Sequence, residues 1–171
     1  MKNIVLYKSK YGHTFQYASW IAEELNWEIR DFSKFKKTEI KDYDTIIFGS
    51  GVYMGKMNKV KKVLEWFKDK PIIIFACAGN NNVEKDIADI KNNNFNEDQL
   101  AFHTFFYLPG GIDFSKVRGI IKIFLNIFIK NVERKKNKTE DEEGIIESYY
   151  HPTNYVDKKH IEALVAYAKK L

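Results

Sequence analysis

Three short segments of this 171-residue chain carry residue types that bind rather than pack. In the first, Ser9-Lys10-Tyr11-Gly12-His13-Thr14, two hydroxyls, a cation and a glycine stand just ahead of a helical pattern. The first amides of a helix have no intrahelical acceptor, so with Ser9, Thr14 and Lys10 they can form a cradle for a single phosphate group. The same residues can serve the simpler purpose of capping the helix. A nucleoside triphosphate loop is excluded, because the glycine-rich spacing that ends in Gly-Lys-Ser/Thr is missing.

The second segment, Gly49-Ser50-Gly51-Val52-Tyr53-Met54-Gly55-Lys56, places three glycines around one large aromatic, and a planar ring can stack on Tyr53. It is not a dinucleotide fingerprint, since Met54 stands where the third glycine belongs and the segment follows the third predicted strand instead of the first. The third, Ala78-Gly79-Asn80-Asn81-Asn82, offers small residues and amide donors and acceptors suited to the polar edge of a heterocycle. Taken alone it also reads as an ordinary Asn/Gly turn.

These segments need a frame, and the hydrophobic pattern supplies one. Strands are predicted at Lys2–Tyr7, Trp27–Phe32, Thr45–Phe48, Ile72–Cys77 and Ala101–Leu108. Ile72–Cys77 is apolar at every position, as a strand buried on both faces must be. Helices are predicted from Phe15 through Leu25, across Val60 to Phe67 before Pro71, over Val83–Lys91 and over Val156–Leu171. Alternation of this kind describes one α/β unit over residues 1–171 with an open, doubly wound parallel sheet. All three binding segments then leave the carboxyl ends of strands, where ligands of such sheets sit. The stretch 109–152 exceeds an ordinary connection and is expected to be an insertion with a function.

Composition narrows the setting. Hydrophobic residues make up 44% of the chain and aromatics 15%, enough for a self-standing core. Gly119 to Ile129, the longest nearly apolar stretch, is far short of the roughly 20 residues of a membrane span and contains Lys122 and Asn126. No signal peptide is expected at the start. A lone cysteine, Cys77, forms no internal disulfide, and the cytoplasm is the default setting. Cys77 is expected to be packed rather than reactive. Four histidines (His13, His103, His151, His160) show no ligand spacing, so no metal site is expected, and His13 is expected to face solvent.

The net charge is +5, but it is concentrated. Between Lys116 and Lys138 eight basic residues stand against Glu133 alone, leaving a mildly acidic body with one strongly basic segment that should meet something anionic. No nucleic-acid motif accompanies it, and no nucleic-acid partner is expected. Within it, Arg118, Lys122, Asn126, Lys130 and Arg134 recur every four residues, and nine of the 13 residues from Ile120 to Val132 are apolar. That is an amphipathic helix needing cover from the body of the domain, a second copy of the chain, or lipid and an apolar substrate. Peripheral membrane contact through residues 116–138, at the inner face of the membrane, is one expectation, and a homo-oligomer is another.

Together the three loops resemble the FMN site of the flavodoxin family, whose first loop reads Ser/Thr-x-Thr-Gly-x-Thr. Ser9, Gly12 and Thr14 match it. Tyr11 departs from it and removes one hydroxyl. The resemblance implies a flavodoxin-like three-layer sandwich with a five-stranded parallel sheet in the order 2-1-3-4-5, and FMN as cofactor. It places the phosphate on residues 9–14 and the isoalloxazine ring on Ser50 to Gly55 and Ala78 to Asn81. Lys56 stands where short-chain flavodoxins usually carry an acidic residue, so it is a candidate for tuning the flavin. Residues Tyr107–Lys130 and Val156–Lys169 further resemble the flavodoxin-type, menaquinone-dependent protoporphyrinogen dehydrogenases. That likeness implies an oxidoreductase with a quinone acceptor. The alternatives are an electron carrier between redox partner proteins and a flavin-free interaction module.

Overall fold

The computed structural model describes residues 2–79 and 83–171. Five parallel strands form its frame: β1 (Asn3–Lys8), β2 (Glu28–Asp31), β3 (Thr45–Tyr53), β5 (Ile73–Ala78) and β6 (Thr104–Pro109), in the spatial order β2-β1-β3-β5-β6. With the two-residue antiparallel strand β4 (Lys56–Met57) left out of the count, this is the expected order 2-1-3-4-5. Alternate residues of each strand supply two separate cores. Ile4, Leu6, Ile46, Phe48, Ile74 and Ala76 pack beneath α2 (Val60–Trp66) and α3 (Val83–Asn94). Val5, Ile47, Ile73, Phe75 and Cys77 pack beneath α1 (His13–Leu25) and α7 (Glu162–Ala168). The result is a three-layer α/β sandwich. Burial pushes the Cys77 thiol up to about 12, against the smaller lowering effect of Thr14, so it is inert at neutral pH.

One cross-strand pair decides how β3 runs. Gly49 lies opposite Phe75 in the register, and a Cβ on Gly49 would stand only 1.9 Å from the tip of the Phe75 ring. A glycine in a strand costs about 0.5–1 kcal/mol, whereas full burial of a phenylalanine contributes about 1.5–3 kcal/mol. The ring therefore wins and lies across the glycine. This corrects the sequence reading, which ends the strand at Phe48 and treats Gly49-Ser50-Gly51 as loop; the strand continues to Tyr53.

Three further differences have local causes. The helix α4 (Glu97–Phe102) occupies the start of the segment read as the fifth strand, because Asn96 and Gln99 form a reciprocal capping box. The closing helix begins later than Val156. Asp157 accepts a hydrogen bond from the Lys159 amide, a 3-10 turn spans Lys158–Ile161, and α7 follows. The 109–152 insertion holds two helices rather than one: α5 (Ile120–Glu133) and α6 (Glu140–Tyr150), the second opened by a Thr139–Glu142 capping box. Its ends are zipped by β7 (Gly111–Ile112) against β8 (Thr153–Asn154).

A buried phenol fastens those ends to the body. Tyr17 on α1 donates its hydroxyl to the Pro109 carbonyl at 2.5 Å and accepts from the Asp157 amide at 3.3 Å, while His160 Nδ1 lies 3.0 Å away. A carbonyl can only accept, so the single hydroxyl proton goes to Pro109, and His160 must carry a proton on Nδ1. Burial pushes the Tyr17 phenol up to about 12, which keeps that proton in place. Among the described residues no helix is long and apolar enough to cross a membrane.

The Gly49–Phe75 contact is open to test. Gly49→Ala should lower unfolding stability by about 1–3 kcal/mol in chemical denaturation, since the added methyl overpacks the sheet. Phe75→Leu in the same chain should recover part of that loss. An unchanged denaturation midpoint for Gly49→Ala would show that the ring does not lie over β3.

Candidate functional site

The connection from β1 to α1 is shaped by its own side chains. Ser9 Oγ accepts a hydrogen bond from the Gly12 amide at 3.1 Å, and Gly12 sits at φ +101, a backbone conformation that only glycine adopts easily. The helix that follows has no side-chain cap and no acidic residue in its first turn. Its positive dipole end therefore faces outward without an anionic neighbour on the helix itself. Lys10 stands beside it, with its ammonium 5.1 Å from the ring centres of both Tyr11 and Tyr53. Lys8, which precedes the loop, is already held by Asp31 at 3.2 Å and Ser33 at 2.6 Å.

Thr14 differs in placement from Ser9. It is buried, its hydroxyl near the Cys77 thiol and 3.3 Å from where a Cβ on Gly51 would be. Its contribution at the surface is through its backbone. His13 is half-buried, and its ring lies 2.8 Å from the Cβ position of Gly111, so it packs against the base of the insertion instead of facing solvent as the sequence reading expects.

The second segment is a hairpin. Tyr53 pairs with Lys56 across the two-residue turn Met54-Gly55, and both turn residues have positive φ, at +50 and +73. This is the type I′ arrangement that suits a tight hairpin. Tyr53 is 52% exposed and Met54 88%, so an aromatic face and a flexible thioether stand out at the sheet's carboxyl edge. Ser50 and Val52 serve the hairpin from below. Ser50 is fully buried and donates to the Asn58 carbonyl at 2.8 Å, and Val52 packs on the core. Asn94, at the end of α3, completes the support: it donates to the Gly55 carbonyl at 2.8 Å and accepts from the Met57 amide at 2.9 Å. The sequence reading misses Asn94, because its helix ends at Lys91 and an Asn-rich tract gives no local sign of a long-range latch.

In the third segment Ala78 and Gly79 are described, whereas Asn80 and Asn81 lie outside the described residues. The Ala78 carbonyl accepts from the Gly110 amide at 2.6 Å and from the Tyr107 hydroxyl at 3.3 Å. Gly79 touches the backbone of Gly111 so closely that a Cβ would stand 2.7 Å from its carbonyl carbon. The start of the insertion thus forms a wall shared by the first and third segments. A Gly-Gly pair after a strand was the available signal for this contact.

The three segments meet at one end of the sheet, and Lys10 spans the first two. Their donors suit a flat, partly polar ring carrying a phosphomonoester: helix-start amides, Ser9 and Lys10 for the anion, Tyr53 and the Met54-Gly55 peptide for the ring. FMN has that form, and the residues present fit it. Among the described residues no group of His, Cys, Asp or Glu could hold a metal ion.

The chain is 41% identical over 83 residues to the uncharacterized protein MJ0298 of Methanocaldococcus jannaschii, a match covering 46% of this chain and 55% of that protein. The chain thus spans about half the length of this curated relative. Among solved structures it is similar to oxidised flavodoxin 2 from Bacillus cereus, with 17% identity and a TM-score of 0.46 over 64% of this chain and 86% of that one. A Lactobacillus acidophilus flavoprotein in complex with FMN gives 17% identity and a TM-score of 0.42, over 63% of this chain and 91% of that one. The flavodoxin domain family matches residues 4–140, four-fifths of the chain, and the protein belongs to that family.

Proposed function

We propose that this protein binds FMN at the carboxyl end of its sheet and works as an electron-transferring flavoprotein. The observation that carries the reading is the joining of an uncapped helix start to an exposed aromatic hairpin by Lys10, 5.1 Å from the Tyr53 ring. When bound there, FMN supplies the redox chemistry that no side chain of the site provides. The chain's own residues hold and orient. Gly12 lets the backbone approach the phosphate, Ser9 fixes the loop, and Tyr53 offers a stacking face.

The finer reading is that the protein oxidises protoporphyrinogen and passes the electrons to a quinone. It is favoured by the insertion, because Ile120, Ile123, Phe124, Ile127 and Phe128 of α5 remain largely exposed. A flat apolar macrocycle or a quinone has use for such a surface, whereas a carrier that docks through charge does not. The carrier between redox proteins is the alternative that the activity test separates.

Absorbance titration tests the cofactor. The protein should bind FMN and shift its visible bands, and Gly12→Val with Lys10→Ala should weaken binding by about tenfold or more through blocked approach and a lost cation. Undiminished affinity would mean that the phosphate lies elsewhere. In potentiometry on the FMN-loaded protein, Lys56→Asp should lower the midpoint potential, because a cation near the ring favours the anionic reduced flavin and an anion disfavours it. An unmoved potential would mark Lys56 as a solvated surface residue. For the finer reading, anaerobic mixing of protoporphyrinogen, a menaquinone analogue and FMN-loaded protein should give porphyrin. Replacing residues 114–151 by a short linker between β7 and β8 should abolish that activity while FMN stays bound. No porphyrin from the intact protein would leave the carrier as the function.

A further inference from the structure

The apolar face of α5 is uncovered in the folded chain, and its surroundings specify what covers it. Its other side is already occupied. Ile129 and Val132 are buried, Asn126 accepts from the Tyr149 hydroxyl of α6 at 2.8 Å, and Glu133 accepts from Tyr150 at 2.8 Å. At about 100° per residue, Ile120, Ile123, Phe124, Ile127 and Phe128 fall on the opposite side as one stripe along a helix of about 21 Å. They are between 46% and 68% exposed.

The charges around the stripe have one sign. Arg118 stands ahead of its start and Lys130, Arg134 and Lys136 at its flank and end, whereas Lys122, at about 100° per residue, falls on the side of Asn126 and Ile129; all five are exposed. Among the described residues none of these five enters an ion pair, whereas Lys135 is taken by Glu142 at 2.5 Å. Glu133, the only acid on the helix, is turned to Tyr150 on the occupied side.

We infer that α5 lies in the plane of an anionic lipid surface, its five large apolar side chains inserted at the headgroup boundary and its cations on the lipid phosphates. An amphipathic helix with Lys and Arg flanking an apolar face binds such surfaces in this way. A second copy fits less well. Twofold pairing through α5 sets the same surface against itself, which brings Lys130 and Arg134 of one chain toward the cations of the other with no acid to meet them. Five side chains also fall well short of the about 20–30 residues a side of a stable interface. This docking takes the same α5 side chains that the finer reading offers to a macrocycle or a quinone, but it needs no flavin and is read without any redox step.

Co-sedimentation of the full chain with vesicles tests it. The protein should bind phosphatidylcholine vesicles containing phosphatidylglycerol about tenfold or more tightly than vesicles of phosphatidylcholine alone, and high salt should release it. Phe124→Ser with Ile127→Ser should abolish vesicle binding, and so should Lys130→Glu with Arg134→Glu; all four positions are exposed, so the unfolding midpoint should stay unchanged. Equal affinity for neutral and anionic vesicles, or none for either, overturns the inference. So does a concentration-dependent dimer that Phe124→Ser with Ile127→Ser dissolves in a protein that ignores vesicles.

Discussion

A sheet covered by helices on both faces leaves no strand surface for polar chemistry, and every feature of this protein answers to that constraint. Ile4, Val5, Leu6, Ile46, Ile47 and Phe48 are consecutive or alternate residues of two strands, and all are fully buried. The pressure is greatest at the middle, where Phe75 fills the α1 side so completely that its partner strand must present Gly49 beneath it. Binding groups can then appear only where the strands run out. The helix start after β1, the hairpin after β3 and the end of β5 at Ala78 and Gly79 all lie at that end, which explains why residues so far apart in sequence converge.

The same constraint governs the insertion. A segment entering after β6 emerges at the crowded carboxyl end, beside Ala78 and Gly79 at the end of β5, and only backbone without side chains fits. Gly110 bonds the Ala78 carbonyl, Gly79 meets Gly111, and Gly111 meets both His13 and the Thr153 carbonyl. Tyr17 then clamps Pro109 and Asp157 to α1. The base of the insertion is consequently a wall of the binding end, while α5 at its far part is free to meet another surface. Attachment and exposure are separate properties of one segment.

Much of this was legible in the residues, and what was not has identifiable causes. Periodicity locates the five parallel strands: burial on two faces leaves an uninterrupted apolar run at Ile72–Cys77, whereas the partly exposed β2 shows as alternation. It failed at β3, since glycine under an aromatic ring looks like glycine in a turn until the partner strand is known. Capping boxes at Asn96 and Thr139 are local signals; the first competes with the apolar run that begins at Ala101. Residue type identifies the first loop but does not distinguish the half-buried Ser9, whose hydroxyl holds the loop, from Thr14, which is buried. Asn94 and the Gly79–Gly111 contact depend on chain far away, and no local pattern encodes them.

The hairpin that presents Tyr53 shows how such long-range contacts make an otherwise costly geometry stable. Met54 and Lys59 are non-glycine residues at φ +50 and +66, each costing about 1–2 kcal/mol in the left-handed region. Lys59 sits at the entry to α2 and Met54 inside the turn, so the strain brackets β4. Against it stand hydrogen bonds from Ser50 to Asn58, from the Asn58 amide to Gly51, and two at Asn94, each contributing about 1 kcal/mol. The two sides nearly balance. The turn is therefore held outward by bonds to α3 and to β3, and Tyr53 and Met54 remain on the surface instead of collapsing onto the core, which is the condition for a planar ligand to find them.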